Sequence, residues 1–175
     1  MGFETLGPGD KAPNEFYVVI EIAAYGPPVK YEVDKESGLL MVDRFMNVAM
    51  SYPANYGYVP KTLSGDGDPV DVLVITPHPI VAGSVLKCRA VAVLDTTDEK
   101  GTDAKLLAVP VDKVSNNAYD NLRDLADVPA RLKNEIEHFY SSYKALEKGK
   151  WVKLAGWRDA AAARAEISEG MKAYK

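Results

Sequence analysis

The stretch Ser64-Gly65-Asp66-Gly67-Asp68-Pro69-Val70-Asp71 runs directly into Val72-Leu73-Val74-Ile75, so three carboxylates within six residues enter an apolar, β-branched run. At ~5 Å separation and an effective dielectric of ~20, each pair repels by roughly 3 kcal/mol. Period-two alternation puts Val70, Val72 and Val74 on one face and Asp71, Leu73 and Ile75 on the other, which gives Asp71 apolar neighbours on both sides. A carboxylate in such a place is neutralised, paired with a base or bound to a cation. The nearest base in the sequence is Lys61, which makes a metal the economical partner. Oxygen-only donors suit hard cations, Mg²⁺ or Mn²⁺ ahead of Zn²⁺. An EF-hand loop is excluded. Counted from Asp66, position six is Asp71 where glycine is needed, and position twelve is Pro77 where a bidentate glutamate is needed. A solvated turn is the bland alternative, since Asp and Gly are ordinary turn residues; the apolar run behind Asp71 speaks against it.

Before this turn, residues 16–22 read as a strand that is apolar on both faces except for Glu21. Gly26-Pro27-Pro28 turns the chain. Residues 29–34 then alternate so that Lys30, Glu32 and Asp34 share one face, which by pattern alone is a solvated one. Residues 38–45 form a further strand-like run ending in Arg44, and Tyr52 to Pro60 is rich in tyrosine, proline and glycine. Such tyrosines are more often packing than ligands. After the turn, Thr76-Pro77-His78-Pro79 breaks the strand, and His78 reads as structural. Residues 84–94 and 105–111 are expected to be strands joined by an acidic loop, 95–104, that holds Asp95, Asp98, Glu99 and Asp103. Residues 118–125 look irregular. Asp127-Val128-Pro129 then opens a helix of ~20 residues, with Asp127 as N-cap and Leu132, Ile136, Phe139, Tyr143 and Leu146 on one stripe. A second helix is expected over about 159–173, with Ile167 and Met171 on one face.

Length and charge narrow the classes. A chain of 175 residues suits one domain, taken here as 1–175, with a sizeable core of its own. One cysteine excludes an internal disulfide, and Met1 to Lys11 has no apolar run of the signal-peptide kind, so a cytoplasmic location is expected. Leu6 stands where myristoylation needs Ser or Thr. No window approaches ~18 consecutive apolar residues, so no membrane partner is expected. A net charge of −4 argues against nucleic acid as the main partner. It leaves room for an anionic substrate, because bound divalent ions invert the local sign.

The D-G-D-P-x-D motif at 66–71, together with the residues around it, closely resembles the soluble family I inorganic pyrophosphatases in their short bacterial form. The likeness runs from about Tyr17 to Trp157. The resemblance implies that Asp66, Asp71, Asp98 and Asp103 hold metal, that Asp68 acts as general base, and that Lys30, Arg44, Tyr56, Tyr143 and Lys144 bind substrate phosphate. Glu21, Glu32, Tyr52 and Lys105 would support them. It further implies several Mg²⁺ ions, with Mn²⁺ as substitute, and a homohexamer of two trimers. His138, off the apolar stripe, would be available for a subunit contact. Thr102 departs from a bacterial pattern that has an acid there.

Short strands with frequent Gly and Pro turns, followed by two helices, indicate an α+β chain dominated by antiparallel sheet. Resemblance sharpens this to a small OB-like β-barrel with the two C-terminal helices packed outside. The implied reaction is Mg²⁺-dependent hydrolysis of pyrophosphate to two phosphates by an activated water. Two rivals fit less of the sequence. A single-stranded nucleic-acid binder needs a basic groove that these acids oppose, and a metal buffer leaves Lys30, Arg44 and Lys144 without work.

Overall fold

The computed structural model describes residues 3–34 and 36–174. Its strands are β1 (Phe16–Ile22), β2 (Val29–Val33), β3 (Leu40–Phe45), β4 (Asn55–Tyr58), β5 (Asp71–Val74), β6 (Val85–Asp98), β7 (Gly101–Thr102), β8 (Lys105–Pro110) and β9 (Val152–Asp159). Its helices are the short α1 (Asp112–Ser115), α2 (Ala130–Ser142) and α3 (Ala160–Ala173). Strands β1, β4, β5, β8 and β6 follow one another in hydrogen-bonded order, and β1 also pairs with β6, which closes the path into a ring. Every pairing is antiparallel except β5 with β8. The expected α+β class with dominant antiparallel sheet and C-terminal helices is therefore what the chain adopts, as a ring of strands with β2–β3 as a separate hairpin.

The ring strands are apolar on both faces because both are covered. Val70, Val72 and Val74 join Phe16, Val18, Ile20, Leu106 and Ala108 in a core that receives Ala163 and Ile167 of α3. Leu73, Leu107 and Val109 point the other way, into a core with Ile136, Phe139, Tyr140 and Tyr143 of α2. The alternation expected for residues 70–75 is met, and it sends Asp71 to the α2 side with Leu73.

Several expectations are corrected. The acidic loop 95–104 is mostly strand: β6 continues to Asp98, and β7 returns from Gly101. What extends it is β9, which pairs with β6 from Ala92 to Asp98 and which the sequence reading missed. The glycine at 156 and a register shift opposite Asp95 and Thr96 interrupt the period that would have revealed β9. Residues 55–58 are also a strand. Helix α2, the first of the two expected helices, is shorter than expected, 13 residues, because Asp127 does not cap it. Asp127 instead closes a capping box with Asp124 around a 3₁₀ turn at Leu125–Asp127, and Pro129 stands just before the first helical residue. Leu146 lies beyond the helix and is 69% exposed. The second helix begins as expected, with Asp159 accepting from the Ala162 amide at 2.8 Å.

One glycine governs how closely the ring closes at β4. Gly57 pairs with Ile20, and a Cβ at this position would lie 1.9 Å from the Val19 carbonyl oxygen and 2.8 Å from its carbon. Both are backbone atoms and cannot rotate away. Gly57→Ala should lower the unfolding free energy by about 3 kcal/mol, the upper end of ordinary overpacking costs, read as a lower denaturant midpoint at unchanged m-value. A midpoint equal to the parent's would show that β1 and β4 part without cost.

Candidate active site

Strand register assembles the centre of the site. Asp71 and Lys105 are the first residues of β5 and β8, and the parallel pairing makes them direct partners. Lys105 Nζ donates to Asp71 Oδ2 at 2.5 Å and to Asp103 Oδ2 at 2.6 Å, with the lysine almost wholly buried. The counter-charge for Asp71 thus comes from a residue 34 positions away, not from a metal alone as the sequence reading inferred from Lys61. Burial of Lys105 opposes its charge, but the two carboxylates outweigh that and hold the ammonium well above the usual lysine range.

The acidic turn is held by its own backbone. Ser64 N donates to the Asp68 carbonyl at 2.7 Å, Gly67 takes a φ of 88°, and the Asp68 amide donates to Asp66 Oδ1 at 3.1 Å. The Leu63 amide also donates to the Gly170 carbonyl of α3 at 3.0 Å, which ties the turn to the helix. Asp68 Oδ2 lies 3.6 Å from Lys100 Nζ on the β6–β7 tip. The β6–β7 hairpin and the residue just after it deliver Asp98, Glu99 and Asp103 here. Thr96 Oγ1 donates to the Asp103 carbonyl, and Asp98 accepts from Lys144 Nζ at 2.8 Å and from the Lys100 amide at 2.8 Å. Burial works to raise the Asp98 carboxyl, yet Lys144 and the Lys100 amide hold it below the usual range. Asp66 and Asp103 go the other way. Burial raises both, with neighbouring acids adding to it.

The wall opposite is aromatic. Tyr52, Tyr56, Phe139, Tyr140 and Tyr143 form contiguous ring contacts at 4.6 to 5.7 Å. The rings are core, as composition alone suggests for tyrosines, while their edges line the site. Burial lifts the hydroxyls of Tyr52, Tyr56 and Tyr143 above the ordinary tyrosine range, so they remain neutral donors.

Asp66, Asp68, Asp71, Asp98, Asp103, Lys30, Arg44, Tyr52, Tyr56, Lys105, Tyr143 and Lys144 line one cavity of about 110 Å³. Glu21 and Glu32 do not. They line an adjoining cavity of about 230 Å³ that shares Lys30, Tyr56, Asp68 and Asp71 with the first. Glu21 sits at a register shift in β1 between Ile20 and Ile22 and accepts from the Val33 amide at 2.7 Å. Lys30 and Arg44 face each other across the β2–β3 hairpin. Lys30 lies 3.3 Å from both Glu32 and Asp43, and Arg44 reaches Asp43 at 2.8 Å and Glu147 at 3.2 Å.

Sequence reasoning missed Glu99, Lys100, Tyr140 and Lys150, which also line the smaller cavity. Tyr140 had a signal: it stands four residues after Ile136 and widens the same helical stripe. Lys150 and Glu99, 2.6 Å apart, are brought together only by β9 lying on β6. With these included, the cavity carries six acids and six bases, which suits neither a pure anion trap nor a pure cation cage. Among the described residues, no three carboxylates converge closely enough to hold an ion by themselves. The oxygen donors are of the hard type, and the raised Asp66 and Asp103 mark local excess of negative charge that a cation would relieve.

The comparisons bear on what such a basin does. The sequence model described as inorganic pyrophosphatase matches residues 18–175. The inorganic pyrophosphatase of Haemophilus ducreyi is 58% identical over 175 residues, covering 100% of this chain and 99% of that protein. That of Escherichia coli K12 is 60% identical over 167 residues, 95% of this chain and 94% of the relative. Among solved structures, the Coxiella burnetii inorganic pyrophosphatase superimposes with a TM-score of 0.93 at 47% identity, covering 97% of this chain and 100% of that one. The Thermus thermophilus enzyme gives 0.93 at 43%, with 99% of each chain covered. Their OB-like ring of strands is the one described above. Relatives that match over nearly their whole length, on the same fold, settle the matter: the chain belongs to the inorganic pyrophosphatase family, enzymes that hydrolyse pyrophosphate.

Proposed function

We propose that this chain hydrolyses pyrophosphate with Mg²⁺ as its divalent cofactor, through a division of labour among the residues of the smaller cavity. The observation that carries the reading is the interleaving of six acids and six bases in one cavity. A magnesium pyrophosphate substrate needs both, bases for phosphoryl oxygens and carboxylates for the cation. Asp66, Asp71, Asp98 and Asp103 would hold Mg²⁺, or Mn²⁺ in its place. When bound, the cation neutralises substrate charge and lowers the pKa of a water beside it.

The chain's own groups do the rest. Lys30, Arg44 and Lys144 bind phosphoryl oxygens as cations, Arg44 with its planar fork. Tyr56 and Tyr143 donate neutral hydroxyl hydrogen bonds to the same oxygens. Asp68 takes a proton from the attacking water as its oxygen bonds to phosphorus, and the bridging P–O bond breaks to release phosphate. Asp68 stands on the Gly67–Pro69 corner, and its amide donates to Asp66 Oδ1. Tyr52, Lys105, Glu21 and Glu32 support these groups.

The same reading includes a single functional domain over 1–175, a cytoplasmic location and no nucleic-acid partner. A lone, buried, free cysteine, Cys88, fits that compartment. Among the described residues, no helix is long and apolar enough to cross a membrane. It also includes a homohexamer of two trimers. Support comes from apolar surface on and just before β3, where Phe45 is 75% exposed and Leu39, Met41 and Val42 are more than half exposed, and from the outward position of His138 on α2.

Phosphate release should stop in excess EDTA and return with Mg²⁺; release that continues in chelator removes the metal from the reading. Asp68→Asn should cut turnover ~10²-fold or more while keeping Mg²⁺ affinity, whereas Asp71→Asn should lose affinity first, and the reverse pattern would exchange the two roles. Light scattering at neutral pH should return a hexamer mass; a monomer mass rejects the assembly. Glu21 generates a pH dependence. Burial, aided by Asp71 and Glu32 against the Val33 amide, raises its carboxyl from 4.5 to about 8. Between those values the folded chain keeps a proton that the unfolded chain has lost, so stability falls as pH rises through that window. In chelator, Glu21→Gln should gain in melting temperature over the parent from about pH 5 to about pH 8, and parallel curves would reject the buried, protonated glutamate.

A further inference from the structure

Tyr140 lines the cavity, and the mechanism above gives it no work. Its side chain is 2% exposed, and its hydroxyl has no hydrogen-bond partner among the described residues. The ring stands edge-on to Phe139 and Tyr143, at 5.2 and 5.7 Å. A phenylalanine would fill that space equally well without burying an unpaired hydroxyl, which is costly. The charged and polar groups facing it are Lys105 and Asp71, with the hydroxyls of Tyr52 and Tyr143.

Lys105 is the neighbour that matters. Its ammonium lies 5.6 Å from the centre of the Tyr140 ring and 5.9 Å from that of Tyr56. Two of its three donors are spent on Asp71 and Asp103. Those two carboxylates are also assigned to the divalent cation, and the inference rests on that assignment. Lys105 bridges the Oδ2 atoms of Asp71 and Asp103, and a divalent cation taken up by the same two carboxylates repels the ammonium and draws on the negative charge that holds it, so Lys105 is loosened from at least one of them. A loosened ammonium in so buried a position needs another acceptor at once.

We propose that the Tyr140 hydroxyl is that acceptor: Lys105 serves as an internal counter-ion for Asp71 and Asp103, and it turns to Tyr140 Oη when a divalent cation claims the pair. Tyr140 is then a positioning residue that acts on cation uptake through Lys105 and touches no reacting atom. Its hydroxyl stands unpaired while Lys105 bridges the two aspartates because it is held for the other arrangement.

Calorimetric titration of the full chain with Mg²⁺, without substrate, tests this in four forms: parent, Tyr140→Phe, Lys105→Met and the double variant. Tyr140→Phe should weaken Mg²⁺ binding about tenfold, the scale of one hydrogen bond to a charged group. Its melting temperature in chelator should be equal to the parent's or higher. Lys105→Met should melt lower in chelator and bind Mg²⁺ at least as tightly as the parent. The loss from Tyr140→Phe should vanish in the Lys105→Met background. A parent that binds no Mg²⁺ overturns the metal-dependent reading and this inference with it. A parent that binds, with Tyr140→Phe binding equally well, overturns this inference alone. A tenfold loss that persists without Lys105 also overturns it, since Tyr140 would then act by another route.

Discussion

Asp71 and Lys105 are joined by strand register, and much of the molecule can be read as what that pair requires. Both are first residues of their strands, and only a parallel pairing brings two such ends side by side; antiparallel pairing would set the start of one against the end of the other. The single parallel contact in an otherwise antiparallel ring is therefore what forms the polar centre. Period-two alternation then turns both side chains toward α2, away from the core beneath α3. A charged pair so buried is tolerable because it is well hydrogen-bonded: Lys105 meets two carboxylates, and Asp103 is the second.

Around that pair the protein surrounds a concentrated set of charges with aromatic core. The rings of Tyr52, Tyr56, Tyr140 and Tyr143 pack with Phe139 as ordinary hydrophobic mass, and the four tyrosines line the cavity. Excluding water in this way strengthens each electrostatic contact inside, which a reaction on a highly charged anion needs. It also explains the opposed behaviour of the carboxylates. Asp98 accepts from Lys144 and from the Lys100 amide and is held low, whereas Asp66 and Asp103 meet too little positive charge and are pushed up.

The tips of the fold matter because they close the ends of the cavity. The β6–β7 hairpin survives as strand well past the ring because β9 covers it, and its tip brings Asp98, Glu99 and Lys100 to the rim. The chain after α2 supplies Lys144 and Lys150 to the same rim, and both find acids on the hairpin. Two segments about fifty residues apart in sequence are thereby cross-linked by charge.

The acidic turn, the alternation of residues 70–75, the α2 stripe and the start of α3 at Asp159 were legible in the sequence because each depends on neighbours within a few residues: turn chemistry, side-chain period and capping are local. From these and the motif at 66–71, the family and most of the residues of the cavity follow. What the linear chain does not contain is pairing. That Asp71 meets Lys105, that β9 lies on β6 and turns an expected loop into strand, and that the Tyr140 hydroxyl is left facing a committed lysine were all decided by contacts between distant segments. Such contacts form only when the ring closes, and no local preference encodes which strand will lie beside which.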